Sequence, residues 1–243
     1  MPEGPSILIL REEAERFAGQ VVRRVEGDAK VDLQRLQGRR LTAVRSWGKQ
    51  LLLELDEVTV RVHLLLFGSY AIDARKDRPP RLGLGFDNGE LNFYGCSVRL
   101  LDEPPELLYD WRSDTLSERW DPALALDKLR AMPDTQVCDA ILDQEVFAGA
   151  GNIFKNEVLF RIRVHPLSTL GALPAEKLQE LVTEVRQYAF DFLAWKRAFV
   201  LKQHWQAHRQ SRCPRCAIAL SKAKLGRTQR QSYYCEQCQI RYG

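Results

Sequence analysis

Four of the six cysteines stand as two short pairs near one end of the chain: Cys213-Pro-Arg-Cys216, then eighteen residues, then Cys235-Glu-Gln-Cys238. Each CxxC knuckle aims two sulfurs at one point, and two knuckles at this spacing offer a closed tetrahedron to one structural zinc ion. Two disulfides are the alternative, but they need an oxidising compartment that nothing else in the sequence indicates. Between the knuckles, two strands are expected at about 217–225 and 231–235, turning at Gly226 to Arg230, with Arg227 and Arg230 near the tip. A guanidinium on such a hairpin suits a phosphate. The bland alternative is that these arginines only keep a small coreless module soluble. Cys96 and Cys138 lie alone among apolar residues and read as small core side chains.

Charge is divided unevenly along the chain. The net charge of the 243 residues is +4, yet positions 196–243 hold eleven Lys or Arg against one acid, Glu236, so that segment is +10 and the rest −6. Four thiolates around Zn²⁺ would lower the segment to about +8. A polyanionic partner engaged through this region is the functional reading, and a solvated basic tail is the bland one. No apolar run approaches the roughly 18 residues of a membrane span. The start MPEGPSILILREE does not read as a signal peptide, because charge follows the short apolar stretch. The expectation is a cytoplasmic or nucleoid location, a monomer and no membrane.

Elsewhere the hydrophobic period changes twice. Residues 1–3 stand apart; Ile7 to Gly19 then carries Ile7, Leu10, Ala14 and Phe17 at helical spacing. From Val21 to about Leu101 come short strands (VVRRVEG, LTAVRSW, LLLEL, VTVRVHLLL, GSYAI, LGLGF, LNFYG, SVRLL), separated by turns such as Trp47-Gly48-Lys49 and Asp87-Asn88-Gly89. Many closely spaced strands predict an antiparallel sandwich. After the proline- and acid-rich Asp102 to Glu106, helices are expected from Asp121-Pro122 to Ala131, over 135–142, from Asn152 to Arg163 and over 174–197. Phe147-Ala-Gly-Ala-Gly-Asn-Ile places two glycines before a helix N-terminus, where free N–H groups favour an anion. Asn152 is expected to cap that helix and reach a ligand at its mouth. The fold class is thus α+β and multidomain: an N-terminal antiparallel β-sandwich with a flanking helix (1–110), a helical domain (111–204) and a zinc-finger β-hairpin (205–243).

Three separated motifs, in order, resemble one family. Met1-Pro2-Glu3-Gly4-Pro5, the segment Asp143-Gln-Glu-Val-Phe-Ala-Gly-Ala-Gly-Asn-Ile and the four-cysteine finger are similar to those of the formamidopyrimidine-DNA glycosylase / endonuclease VIII family of base-excision repair. The resemblance implies a helix–two-turn–helix in the middle domain and a bifunctional glycosylase/lyase acting on damaged double-stranded DNA. Removal of Met1 would expose the Pro2 amine, which attacks the sugar C1′, expels the base and forms an iminium ion; elimination then breaks the strand. An α-amine titrates far below lysine and offers some free lone pair at neutral pH. The resemblance gives Glu3 proton transfer and Lys49 a place beside the phosphate or base. It makes Asn152 and Arg230 phosphate clamps that favour an everted nucleotide. Leu65, Leu66 and Phe67 become candidates to fill the gap left in the duplex, with plain buried strand as the competing reading.

Two positions depart from the family pattern. Ser6 occupies a place where a second glutamate is usual, and Tyr94-Gly-Cys-Ser-Val-Arg-Leu lacks the Arg–Phe pair with which the purine-type branch reads the opposite base. With the MPEGP start, this leans toward the endonuclease VIII branch and oxidised pyrimidines. Two alternatives remain open: a DNA-binding protein of the same fold with weak or lost catalysis, and an unrelated zinc-ribbon protein associated with RNA or transcription.

Overall fold

Helix α1 (Gly4–Ala14) starts three residues earlier than the apolar period suggests, because Pro5 sits in its first turn with φ already set for a helix. A single 3-10 turn, Glu15–Phe17, continues it, and Gly19 ends the segment at φ 84°. Ile7, Leu10, Ala14 and Phe17 all face inward and are buried. This is a computed structural model and describes residues 2–243; the chain separates into two compact units, one up to Asp110 and one from Trp111 onward.

The first unit contains two four-stranded antiparallel sheets. Its strands are β1 (Arg24–Glu26), β2 (Leu41–Trp47), β3 (Gln50–Leu55), β4 (Val58–His63), β5 (Ser69–Ile72), β6 (Leu82–Phe86), β7 (Gly89–Tyr94) and β8 (Ser97–Leu101). One sheet runs β1-β6-β7-β5 and the other β2-β3-β4-β8. Alternating side chains from the sheets and the apolar face of α1 share one core, in which Phe17 stacks on Phe86 at 4.8 Å. Each fully buried Leu, Val or Phe there contributes about 1.5–3 kcal/mol relative to exposure. Cys96 lies in this core, as its surroundings suggest, and burial pushes its thiol up to about 11.

Two expectations change in this unit. VVRRVEG yields only the three residues of β1, and the run VTVRVHLLL stops being strand at His63. A one-turn helix, α2 (Pro105–Leu108), occupies the proline-rich stretch.

The second unit is helical with a terminal hairpin. It comprises α3 (Pro122–Arg130), α4 (Val137–Ala140), α5 (Asn152–Arg161), α6 (Ala175–Arg197), β9 (Ser221–Leu225) and β10 (Arg230–Tyr234). Asp121 caps α3, its Oδ1 accepting from the Ala123 and Leu124 amides at 3.0 and 3.1 Å. The helix expected over 135–142 shortens to α4. Helix α5 is buried from Phe154 to Phe160; Phe154 packs edge-on to Tyr188 of α6 at 5.0 Å. Cys138 belongs to the same core. Among the described residues, no helix is long and apolar enough to cross a membrane.

Candidate active site, phosphate clamp and zinc site

In the first unit, Pro2 and Glu3 directly precede α1. Glu3 is fully buried, and its carbonyl accepts the Ser6 and Ile7 amides at 2.8 and 3.3 Å, which fixes the backbone at the mouth of the helix. Met1, whose removal is expected, lies outside the described residues. Lys49 occupies the two-residue loop between β2 and β3, whose last pair is Trp47 and Gln50; Gly48 takes φ 54° in the first loop position, where a primed hairpin turn requires it.

His63 lies beside this loop. It pairs across the sheet with Gln50, next to Lys49, and is held below its ordinary titration range by burial and by the Lys49 and Arg61 charges. A lone histidine at the end of a strand pattern carries no local signal; only the register between β3 and β4 places it beside Lys49.

Directly after His63, the chain folds into a tight turn in which Leu65, Leu66 and Phe67 are 48%, 45% and 90% exposed. Leu65 adopts φ 53°, and a Cβ on Gly68 would lie 1.8 Å from the Leu64 carbonyl oxygen. The apolar tip therefore points to solvent instead of continuing β4. Lys76 and Arg78 sit over the Tyr94 ring at 5.2 and 5.6 Å. Strands β7 and β8 are joined by Gly95-Cys96 alone, which leaves no room for a projecting loop at that point.

In the second unit, the sequence joins two distant segments. Gln144 staples the glycine-rich turn: its Nε2 donates to the Leu142 and Ala150 carbonyls and its Oε1 accepts from the Gly149 amide. Of the two glycines, Gly149 takes φ 99°, whereas Gly151 is extended at φ −136° and is itself the N-cap of α5. Asn152 thus does not cap the helix. Its Nδ2 instead donates to the Gln231 carbonyl at 3.0 Å, tying the start of α5 to the residue after Arg230. Arg230 is exposed at the first position of β10, opposite Leu225, while Arg227 lies in the turn. The turn itself is held by Asp139, whose carboxylate accepts the Arg227 amide at 2.7 Å and the Thr228 amide and hydroxyl at 3.1 Å.

The sulfurs of Cys213, Cys216, Cys235 and Cys238 all lie within 4.8 Å of one another, with the Cys213 and Cys238 Sγ atoms 3.7 Å apart. Zn–S bonds of about 2.3 Å in a tetrahedron place sulfurs about 3.8 Å apart, so the cluster fits one zinc ion with no position open to water. The four cysteines form a structural zinc site. Around it, Phe160 of α5 packs against Cys213 and Cys235, and the Arg215 guanidinium sits 3.8 Å from the Phe160 ring centroid. Gln239 accepts the Cys235 amide and donates to the Val164 carbonyl, both at 2.8 Å.

Comparison with known proteins gives matches to the formamidopyrimidine-DNA glycosylase N-terminal domain over residues 1–102 and to the formamidopyrimidine-DNA glycosylase H2TH domain over 112–190. A formamidopyrimidine-DNA glycosylase of Methylococcus capsulatus is 34% identical over 236 residues, covering 84% of this chain and 83% of that protein. Endonuclease 8-like 2 of Bos taurus is 37% identical over 170 residues, which cover 68% of this chain but 50% of the relative. The aligned region thus spans about half the length of that endonuclease 8-like relative, and 36% of endonuclease 8-like 3 from the same organism. Among solved structures, the formamidopyrimidine-DNA glycosylase of Lactococcus lactis, bound non-covalently to DNA containing an AP site, superposes with a TM-score of 0.86. It is 22% identical over 98% of this chain and 100% of that one. A viral DNA glycosylase reaches 0.84 at 21% identity, over 98% of this chain and 100% of that one.

Proposed function

The chain belongs to the formamidopyrimidine-DNA glycosylase / endonuclease VIII family of base-excision repair DNA glycosylases, and from this we propose a bifunctional glycosylase and AP lyase that works through the amine of Pro2. The observation that carries the reading is the pairing of Pro2 with a fully buried Glu3 at the mouth of α1, inside the segment that matches the family's N-terminal domain. A buried carboxyl beside the amine is suited to hold or move a proton where water is scarce.

In this reading, the Pro2 nitrogen forms a bond to C1′ of the damaged nucleotide as the bond from C1′ to the base breaks. The amine gives up its N–H proton, and Glu3 passes a proton to the departing base or to the sugar ring oxygen, whose bond to C1′ then breaks and opens the sugar to an iminium ion. The resulting iminium acidifies the C2′ protons; loss of one drives out the 3′ phosphate and breaks the strand. Lys49 supports the lesion's phosphate or base, while Asn152 and Arg230 grip the backbone. Leu65, Leu66 and Phe67, an exposed apolar tip, enter the gap left by the everted nucleotide. The partner is damaged double-stranded DNA. Oxidised pyrimidines are the proposed substrate class, supported by the two-residue link between β7 and β8, which carries no Arg–Phe pair, and by the likeness to endonuclease 8-like 2.

Borohydride trapping on an oligonucleotide with an abasic site tests the chemistry. Mass-verified protein beginning at Pro2 should form a covalent adduct, and an added N-terminal residue should abolish it. If the Pro2 protein forms no adduct, the lyase reading fails and a DNA-binding role without catalysis takes its place.

A further inference from the structure

Lys155 is 1% exposed on α5, one helical turn after Asn152. Its Nζ donates to Ser232 Oγ at 2.8 Å and lies 3.3 Å from both the Arg230 and Gln231 carbonyl oxygens. Burying an ammonium costs several kcal/mol unless its protons are well placed, so a methionine of similar length would fill the space with less desolvation. What the ammonium adds over an apolar chain is direction: charge-assisted hydrogen bonds to carbonyls that belong to the Arg230 and Gln231 peptides.

Strand alternation puts Arg230 on the same face of β10 as the buried Ser232, the face turned to α5. Asn156, one residue on, completes the grip. Its Oδ1 accepts the Tyr233 amide at 3.0 Å and its Nδ2 approaches the Gln231 carbonyl at 3.3 Å. Four consecutive residues of β10, Arg230 to Tyr233, are therefore held by polar side chains of α5, and the exposed guanidinium projects from the end of that held segment.

We propose that Lys155 is a positioning residue of the phosphate clamp: its buried ammonium fixes the backbone of β10 so that Arg230 and Asn152 act on the DNA as one rigid unit. The inference rests on the reading of Arg230 as a phosphate contact. Lys155 touches no DNA in this arrangement; it acts through Arg230.

A double-mutant cycle tests it, using the full zinc-loaded chain and a duplex carrying a tetrahydrofuran abasic analogue. Arg230→Ala should weaken binding and flatten its salt dependence. Lys155→Met, with zinc content retained, should weaken binding about tenfold and flatten the salt dependence in the same sense. The double variant should bind no more weakly than Arg230→Ala alone. A purely structural lysine would lower the melting temperature, leave the salt slope unchanged and add its loss in full to that of Arg230→Ala; that result overturns the proposal, as does wild-type binding by Lys155→Met. If Lys155→Met loses its zinc, Ser232→Ala takes its place in the cycle with the same expectations. An Arg230→Ala variant that binds normally removes the clamp reading itself, and the role of Lys155 with it.

Discussion

His208 shows how one buried side chain ties acid stability to the docking of the hairpin. Asn156 Oδ1 accepts the Tyr233 amide, so its Nδ2 donates to His208 Nδ1 at 3.1 Å and holds the ring in a neutral tautomer. Burial, together with the Arg209 and Lys155 charges, lowers the imidazole from 6.5 to about 4. The unfolded chain therefore binds the proton first: the stability from this group is complete above pH 6.5 and is lost as the pH falls toward 4. At pH 5.5 the loss should be about 1 kcal/mol. Thermal melts at pH 7 and 5.5, with zinc content followed in parallel, should show a smaller acid shift for His208→Gln than for wild type. Equal shifts would mean that His208 does not carry the effect. Nothing around position 208 in the sequence announces this, because its environment comes from Asn156, fifty-two residues away.

At the scale of elements, the turn after β4 and the zinc hairpin each make a prediction. With a Cβ on Gly68 meeting the Leu64 carbonyl at 1.8 Å, Gly68→Ala must displace backbone and should destabilise the protein by about 1–3 kcal/mol. Weaker affinity for abasic-site DNA should accompany the lower melting temperature; a variant that melts and binds like wild type would show that the tip does not depend on this turn. For the hairpin, metal binding and folding are one equilibrium, since a coreless two-stranded unit is marginal without its ion. A strong chelator should abolish tight DNA binding and added zinc should restore it, whereas undiminished affinity of the metal-free protein would separate the hairpin from the interface. Local pattern located these elements well: the strand at 41–47, the helix opening at Asp121-Pro122 and both cysteine knuckles stand where the sequence puts them. It misplaced the end of β4, because Leu64 to Phe67 are as apolar as the strand before them and only the close approach at Gly68 turns the chain outward.

For the molecule as a whole, the +10 carried by residues 196–243 against −6 elsewhere predicts that DNA binding is driven by counterion release through the C-terminal part. Affinity should fall steeply with salt, and Arg230→Ala should reduce the slope of log K against log salt by about one. An unchanged slope would remove Arg230 from the phosphate contacts. The sequence by itself determined the zinc ligands, the sheet-then-helix order of elements, the charge division and the family, since each depends on residue type at short or fixed spacing. Tertiary structure alone decided which polar groups meet. It turned Asn152 from a helix cap into a tie to Gln231, buried Lys155 beneath β10 and set His63 beside Lys49. These contacts join residues fourteen to seventy-nine positions apart, and such pairings arise from packing between elements, which no local period encodes.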